Sequence, residues 1–444
     1  MKTLNRRINT FLLFCIISIG FAFAQSASGG GNGVNSAYSR YGFGQLSDAV
    51  IGRQSAMGGL ALGLRDGAQV NVANPASYSK CDSLTFLFDA GVSLQNGNFD
   101  NGKTRQNMKN ASFDYIVMQF RAFTNIGVSF GFIPYSKIGY NIGSTHEMIT
   151  DKYGNVTPYS TFEGNGGISL GYLGVGAKIL GGLSVGVNAN YMFGDLEHTI
   201  TNNFTETSVY SSIRAYTASI STLKFDFGMQ YEQSLGKHNT LILGATYTLG
   251  HNINNDAVRT DYTYDNNNNN NKIVETTEKK ISNAFELPKS FGIGFAYQHS
   301  TRLTVGVDYS VQKWGEVKYP MTTSAGFVSQ VGFLSDRKKV AAGLEWTPNN
   351  MSRNYLKRVH YRLGGYYTTP YTRINGTDGA KEFSLSFGFG LPIQNIWNNR
   401  SVVNLSGQWV HVSPGASQLV KENYLRVCIG ITFDERMFAK WKVQ

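Results

Sequence analysis

The chain has 444 residues and a formal net charge of +11, yet only 16% of its residues are charged, against 50 Gly, 28 Phe and 25 Tyr. Its Lys and Arg are scattered through predicted turns and loops and form no basic stripe, so the composition predicts no nucleic-acid partner. The mean hydropathy of −0.22 looks soluble, but it also fits a barrel whose strands alternate apolar with polar residues.

The first 24 residues are typical of a secretory signal peptide. A basic start with Arg6 and Arg7 precedes an apolar run that ends at Ala24, where small and large residues alternate as they do at cleavage sites. The run is too short for a spanning helix, which needs about 20 apolar residues. We therefore predict an exported protein whose mature chain begins at Gln25.

Residues 25–80 are predicted to form a plug that sits in the mouth of a barrel. After a lead rich in Ser, Gly and Asn comes a Gly- and Ala-rich block, residues 56–77, which closes on Asn74-Pro75-Ala76. Pro75 disfavours a helical conformation at Asn74 and so predicts a turn there. Small residues in the block let its backbone approach a barrel wall closely.

From about residue 83 to Phe433 the sequence alternates with a period of two, as in Leu303, Val305, Val307 and Tyr309 against Thr304, Gly306, Asp308 and Ser310. Each run therefore has one apolar face and one small or polar face. A soluble β-sandwich alternates in the same way. Three features favour a transmembrane barrel instead. The runs are about 10 residues long, aromatic residues cluster at their ends, and the second face is often Gly or Ser.

The predicted fold is therefore all-β: a transmembrane antiparallel β-barrel with an N-terminal plug. We assign residues 81–433 to the barrel, which gives about 14 strands, an even number as in bacterial barrels. Residues 434–444 are predicted to form a charged periplasmic tail. The last strand ends in the aromatic Phe433, which resembles the signal that the barrel-insertion machinery reads.

In one predicted strand the apolar residues change from even to odd positions along the chain. Its apolar residues fall on even positions up to Tyr172 and on odd positions from Val175, which predicts a β-bulge near Leu173-Gly174. Long polar connections, expected on the outer side of the barrel, are predicted at residues 196–215, 250–272 and 315–337. The second includes the Asn run 266–271, which we interpret as a solvated loop tip.

Several motifs argue against catalysis. The pattern G-x-S-x-G occurs three times, at residues 127–131, 167–171 and 182–186, but each copy lies within a predicted strand and not at the strand-to-helix turn of a hydrolase. The seven His have no metal-ligand spacing. We expect no enzyme, no metal and no cofactor. Cys81 and Cys428 are too few for a disulfide framework; two unpaired thiols are favoured, and one bond between them stays open.

The plug block resembles the hatch of the long-chain fatty-acid transporter (FadL/TodX) family of outer-membrane proteins, and Asn74-Pro75-Ala76 in its Gly/Ala context is the most specific piece. Later segments resemble barrel strands of that family: residues 286–297, 307–309 with Trp314, 362–370 and 387–392. Residues 434–444 follow Phe433, whereas a barrel of this family usually ends in a terminal Phe. This additional segment resembles barrels of the Bacteroidetes group.

The resemblance implies a 14-stranded barrel in the outer membrane of a Gram-negative cell, filled at its periplasmic end by residues 25–80. It implies passive uptake of hydrophobic small molecules, of fatty-acid or aromatic type. They would leave sideways through a gap in the wall as the hatch shifts. Of the family's functional residues, only those that match Asn74, Pro75 and Ala76 can be assigned in this sequence, as hatch or gate residues.

Two alternatives stay open at this point. A FadL-like barrel also serves as the shuttle of the type IX protein secretion system, with secretion-system proteins as partners. A general porin is the third possibility, although a plug speaks against it. For the transporter, the expected partners are a hydrophobic small molecule or lipid, the outer membrane and the barrel-insertion machinery.

Overall fold

In a computed structural model, the described residues are 34–145, 149–151, 154–204, 209–265, 272–324, 326–374, 376–393, 401–415 and 420–436. They form a closed antiparallel barrel of 14 strands, so the predicted fold class and strand number are confirmed. The signal peptide, residues 25–33 of the plug, the Asn run 266–271 and residues 437–444 of the tail lie outside the described residues.

The barrel strands are β1 Thr85–Asp100, β2 Arg105–Phe123, β3 Ile126–Thr145, β4 Pro158–Leu180, β5 Leu183–Phe204, β6 Ser211–Leu235, β7 Asn239–Thr248, β8 Ser290–His299, β9 Leu303–Gln312, β10 Arg337–Trp346, β11 His360–Thr368, β12 Lys381–Pro392, β13 Val402–Ser413 and β14 Lys421–Arg436. Each pairs antiparallel with its neighbours in chain order. The barrel closes because β14 pairs with β1 over the full length of both strands.

Shorter elements lie inside the barrel or in its connections. One two-residue strand, Gln45–Leu46, pairs with β3. The connections hold five small hairpins: Ile149–Asp151 with Gly154–Val156, His251–Ile253 with Phe285–Leu287, Ala257–Asp265 with Lys272–Ile281, Lys318–Thr323 with Gly326–Val331, and Arg373–Ile374 with Thr377–Asp378. An α-helix spans Gly52–Ala56, and 3₁₀ turns span Ala37–Arg40, Pro75–Lys80, Trp314–Glu316 and Tyr355–Lys357. No helix among the described residues is long and apolar enough to cross a membrane.

The two faces of the strands follow the predicted alternation. On β8 and β9 the apolar Ile293 and Val307 point outward and are 62% and 47% exposed, whereas Thr304 and Asp308 are buried in the lumen. The same holds for β14, where Leu425 is exposed and Tyr424 is buried. An apolar outer surface on a closed barrel is what contact with lipid requires.

The predicted β-bulge near Leu173-Gly174 is wrong. The β4–β5 ladder is regular through this region, and its register shifts only between Lys178 and Leu180. Tyr172 is buried whereas Leu173 and Val175 are exposed, so even positions face inward along this part of β4. The apolar residues change face because the lumen itself is apolar beside the first half of β4.

The prediction of a long loop at residues 196–215 is also wrong, because β5 continues to Phe204 and β6 begins at Ser211. The other two long connections are present. At one end of the barrel four of the chain reversals are short, at residues 124–125, 181–182, 236–238 and 300–302, whereas residues 347–359 join β10 to β11 there; we call this the short-turn end. The opposite end, which carries residues 249–289 and 313–336, is the long-loop end.

Candidate functional site

Residues 52–81, which we call the hatch, cross the lumen at the short-turn end. Asn74 begins the turn Pro75–Lys80, because its side chain accepts a hydrogen bond from the Ala76 N–H at 3.2 Å. Pro75 takes the first position of the turn, where a missing N–H costs nothing. The Asn74 amide also donates to the Leu62 and Met229 carbonyls, at 2.9 and 3.3 Å. Of the three predicted site residues, Asn74 therefore fastens the hatch to β6, through the Met229 carbonyl.

A belt of wall glycines makes room for the hatch. Gly127, Gly176, Gly186 and Gly228 stand directly opposite one another across β3, β4, β5 and β6. A Cβ at Gly127 would lie 1.9 Å from the Tyr78 carbonyl oxygen. A Cβ at the other three would lie 2.2–2.4 Å from an atom of Asn74 or Pro75. The belt continues on later strands, where a Cβ would meet a hatch atom within 3.0 Å, at Gly244, Gly294, Gly306, Gly343, Gly364 and Gly388.

The belt explains two of the three G-x-S-x-G repeats. Gly127 and Gly186 belong to repeats, and the serines beside them, Ser129 and Ser184, are buried in the lumen. Ser129 bonds with the Tyr172 hydroxyl at 2.9 Å, and Ser184 accepts from Arg65 at 2.9 Å. Neither serine has a His partner in the part of the chain that the structure describes, so these repeats pack the hatch.

Arg65 is a hatch residue that the sequence reasoning missed. Its Nε donates to Glu232 on β6 at 3.0 Å, and Nη1 donates to the Ala76 carbonyl at 3.0 Å and to Gln230 at 3.1 Å. Nη2 donates to Ser79 and to Ser184 of β5, both at 2.9 Å. The guanidinium, almost completely buried, thus ties the turn after Pro75 to two wall strands.

Other wall strands hold the hatch in the same manner. The Asp308 carboxylate of β9 accepts the Ala61 and Leu62 N–H groups, at 2.6 and 2.7 Å. Arg53 pairs with Glu345 of β10 at 2.7 Å, and Gln408 of β13 donates to the Ser55 carbonyl at 2.7 Å. Displacing the whole hatch would take the Ala61 and Leu62 donors from the buried Asp308 carboxylate and break the Arg53–Glu345 pair, which is costly.

Residues 34–46, which we call the lead, lie at the opposite, long-loop end. Phe43 packs on Phe285, Trp314 and Tyr319 with ring centroids 5.4–5.6 Å apart, and Trp314 contacts Tyr371 at 5.1 Å. All five rings are buried. This cluster, which we call the cap, lies in the lumen at the long-loop end. The plug boundaries 25–80 stay a prediction, but the plug reaches both ends of the lumen.

The wall opens between β2 and β3. Their ladder runs only from Phe123↔Ile126 to Ile116↔Phe132, although β2 starts at Arg105 and β3 continues to Thr145. Beyond Phe132, no described residue of β3 pairs with β2; we call this region the wall opening.

The lead takes the place of β2 there. Gln45 and Leu46 pair with Lys137 and Ser136 of β3, and the Ser36 N–H donates to the Gly139 carbonyl at 3.1 Å. The local sequence favours the divergence, because Pro134 of β3 has no N–H to offer. The β3–β4 register shifts at this point, between Pro134 and Ser136.

The side chain of Lys137 bridges the opening. Lys137 of β3 donates from Nζ to the Ser112 hydroxyl of β2, and its Nζ lies 3.7 Å from Asp114 Oδ1. Asp114 sits where the β1–β2 ladder changes register, between the pairs Gly91↔Tyr115 and Val92↔Phe113. The bulge on β2 and the proline on β3 therefore flank the same opening.

Residues 47–50, which we call the strap, join the lead to the hatch. The strap lines two cavities in the lumen. One cavity, of about 130 Å³, lies behind the wall opening and is lined by polar and charged groups that include Gln95, Asp114, Lys137 and Arg426. The other, of about 200 Å³, is lined by apolar residues such as Leu170 and by Lys224 and Asp226. The lumen is thus amphipathic.

The strap is anchored by Asp48. Its carboxylate lies 2.9 Å from Arg337 and 2.6 Å from Lys339, both on β10. Burial would raise the pKa of Asp48, but the two cations outweigh it and hold that pKa well below its usual range. Apart from these two ion pairs, the strap's hydrogen bonds to the described residues are backbone bonds, such as Ser47 N–H to the Tyr135 carbonyl at 2.8 Å.

The described residues contain no group of three or more His, Cys, Asp or Glu placed to hold a metal ion. Both Cys81 and Cys428 are free thiols. Cys81 is buried in the hatch, and burial raises its pKa to about 11, so the thiol is unreactive while the hatch stays packed.

Solved structures share this architecture at low sequence identity. They include the CymD monoaromatic hydrocarbon channel, a FadL homologue of Pseudomonas aeruginosa and the toluene transporter TbuX of Ralstonia pickettii. Identities are 14%, 11% and 14%, and TM-scores 0.56, 0.59 and 0.57; each match covers 88% of this chain and 99% of the other. The FadL/TodX resemblance is therefore confirmed for the fold, which indicates an outer-membrane protein.

No curated protein matches the sequence. A family model described as BamG matches residues 6–444, nearly the whole chain. The chain belongs to the BamG family.

Proposed function

We propose that this protein is a passive outer-membrane channel for hydrophobic small molecules, of fatty-acid or aromatic type, which leave its lumen sideways through the wall opening. The observation that carries the proposal is the break in the β2–β3 ladder beyond Phe132. The hatch and the cap occupy the two ends of the lumen, so the side of the barrel is the remaining route. A lateral exit spares a hydrophobic molecule a water-filled path.

The surface around the opening suits such an exit. Val92, Leu94 and Phe113 point outward on β1 and β2 and are 42%, 51% and 39% exposed. A hydrophobic molecule that leaves the opening therefore meets an apolar surface. The similar structures CymD and TbuX are a monoaromatic hydrocarbon channel and a toluene transporter, which supports the same class of cargo.

We infer that the strap is the moving part of the gate and that Asn74, Pro75 and Ala76 hold its fixed base. The hatch is bonded to several wall strands, whereas the strap depends on Asp48 and a few backbone bonds. A shift of the strap would join the two cavities behind the opening. The proposed movement therefore lies in the strap, which is part of the predicted plug 25–80, and not in the hatch itself.

Uptake tests the proposal. Cells of a host without such channels, carrying the full-length protein, should take up labelled toluene and oleate faster than cells with an empty vector, and should take up labelled glucose no faster. Faster glucose uptake would indicate the porin of the third alternative. Unchanged toluene and oleate uptake, with the barrel present in the outer membrane, would overturn the proposal.

The family assignment favours a second candidate role, as an accessory of the barrel-assembly machinery. In the native host, deletion should then lower the amounts of other outer-membrane barrels, and assembly proteins should co-purify with the protein. The secretion-shuttle alternative, with its Bacteroidetes lineage, rests on the residues after Phe433 and stays a prediction; it requires retained cargo after deletion.

A further inference from the structure

The β10–β11 loop, residues 347–359 at the short-turn end, carries large apolar side chains in the open. Met351 is 89% exposed and Leu356 is 65% exposed, which marks a surface that another apolar phase covers. We propose that this loop rests in the periplasmic leaflet of the outer membrane. Met351 and Leu356 lie among the acyl chains there, while Arg353 and Lys357 contact the phosphates of anionic phospholipids. This lipid belongs to the membrane and is not cargo, so the inference goes beyond the proposed function.

Hydrogen bonds within the loop hold these side chains in place. The Asn349 N–H donates to the Lys357 carbonyl at 2.7 Å and so closes the loop. Asn354 begins the turn Tyr355–Lys357, because its side chain accepts from the Leu356 N–H at 3.0 Å. The exposure of Leu356 is therefore set by the fold of the loop and is not that of a frayed tip.

A row of aromatic rings on the outer face of the wall places the loop at the membrane surface. Trp346 of β10, Tyr361 of β11 and Phe389 of β12 stand opposite one another on neighbouring strands, with ring centroids 5.7 and 5.8 Å apart. Aromatic rows at strand ends mark the interfaces of a membrane barrel, and short turns lie on its periplasmic side. The Tyr361 hydroxyl donates to the Leu356 carbonyl at 3.1 Å. The loop therefore continues the lipid-facing surface at the level of the headgroups.

The charge of the loop fits anionic phospholipids. It contains no acidic residue and three basic ones, Arg353, Lys357 and Arg358. Arg358 is buried over the Tyr355 ring, 5.3 Å from its centroid, whereas Arg353 and Lys357 are exposed. Among the described residues, no carboxylate lies within 4.0 Å of either exposed cation.

A bilayer surface offers both phases that this loop requires. Acyl chains would cover the exposed apolar side chains, and lipid phosphates would pair with the two exposed cations, since basic residues at a membrane surface attract anionic lipids. A periplasmic protein would have to supply the same two chemistries beside a row of rings that faces lipid. We therefore favour phospholipid as the occupant.

Fluorescence of the full-length barrel in phosphatidylcholine vesicles tests the inference. In a Cys428→Ser background, an environment-sensitive label is attached at Met351→Cys, and the matched control carries it at Tyr210→Cys, an exposed position at the long-loop end. The quenchers are phosphatidylglycerol or phosphatidylcholine with a nitroxide near the headgroup, and aqueous iodide on both sides of the membrane. We expect both nitroxide lipids to quench the label at 351, phosphatidylglycerol more strongly. Only iodide should quench the label at 210.

Charge variants isolate the two exposed cations. Arg353→Gln with Lys357→Gln should remove the preference for phosphatidylglycerol, by about fivefold for each cation lost, while nitroxide phosphatidylcholine still quenches the label at 351. Lys178→Gln with Lys237→Gln removes two exposed cations from elsewhere at the same end. This control should keep the preference.

The outcomes separate the possibilities. A label at 351 that iodide quenches and neither lipid quenches would overturn the inference and leave a periplasmic protein as the occupant of this surface. Equal quenching by the two lipids, or a preference that survives Arg353→Gln with Lys357→Gln, would overturn the phosphate contact. Toluene uptake does not depend on this loop, so the channel stands even where the lipid surface fails.

Discussion

Lys137 of β3 lies 3.7 Å from Asp114 of β2, at the point where the two strands stop pairing. Neighbouring strands of a membrane barrel satisfy each other's backbone groups, because lipid offers no hydrogen bonds. Here the lead supplies partners to β3 instead, and one ammonium group bridges the two separated strands. In the function that we propose, the cap, the strap, the hatch and the wall opening together let the lumen communicate sideways.

The glycine belt predicts a graded response to added side chains. Gly176→Ala on β4 would place a Cβ 2.3 Å from the Pro75 carbonyl oxygen, and overpacking of this kind costs about 1–3 kcal/mol. We expect a lower unfolding temperature and a higher ion conductance in planar bilayers, since the hatch no longer seats. Gly171→Ala, on the same strand but with no atom within 4 Å of its Cβ, should behave like the wild type. Equal behaviour of the two variants would refute the belt.

Arg65 and Lys80 provide a matched pair around one carboxylate. Both contact Glu232, but Arg65 is buried whereas Lys80 is 43% exposed. Arg65→Ala removes the five hydrogen bonds of a buried guanidinium and leaves the buried Gln230 amide oxygen without that donor, for which the loss is about 1–3 kcal/mol. Lys80→Ala removes an exposed pair, which accounts for about 0–1 kcal/mol. The readout is maleimide labelling of Cys81, which should accelerate only in Arg65→Ala. Similar labelling rates in both variants would contradict the role of Arg65.

The cap depends on Phe43. Truncating a buried Phe to Ala costs about 3–5 kcal/mol, and here it removes the ring that joins Phe285, Trp314 and Tyr319. We expect Phe43→Ala to admit a membrane-impermeant maleimide to Cys428, which lines the lumen cavity, when the reagent is added to intact cells. Phe123→Ala, an exposed ring at the short-turn end, is the control. Labelling that stays at the wild-type rate would show that the cap does not close the lumen.

The mobility of the strap should increase in acid and should not change in alkali. The pKa of Asp48 is depressed in the folded protein, because Arg337 and Lys339 outweigh its burial. Its stabilising contribution is therefore complete above the unfolded pKa of about 4 and declines as pH falls toward the folded value. A spin label at Ala49→Cys should stay immobile from pH 8 to 5 and gain mobility below about pH 4.

The same label in Asp48→Asn isolates this carboxylate from others that titrate in acid. We expect it to be mobile at every pH, with a flatter profile, because the neutral amide no longer pairs with Arg337 and Lys339. An identical acid transition in Asp48→Asn would assign the effect to another group.

Local patterns in the sequence predicted the barrel, its strand number and most side-chain directions, because alternation depends only on neighbouring residues. The bulge near Leu173 was wrong because that reasoning assumed a polar lumen throughout. The G-x-S-x-G repeats already signalled the glycine belt. By contrast, Arg65 meets Glu232 and Phe43 meets Trp314 across long stretches of chain, which no local pattern encodes. Pro134 can be read from the sequence, but its effect on strand pairing depends on which neighbouring strand it faces in the fold.

The wall opening can be tested by closing it. In a Cys428→Ser background, Ser112→Cys and Lys137→Cys place thiols on β2 and β3 on either side of the opening, where a short cleavable bis-maleimide can join them. Gln119→Cys with Ser129→Cys joins the same strands where they already pair. We predict that cross-linking the first pair abolishes toluene uptake, that cleavage restores it, and that the second pair has no effect. Undiminished uptake with the first pair fully cross-linked would contradict the lateral route.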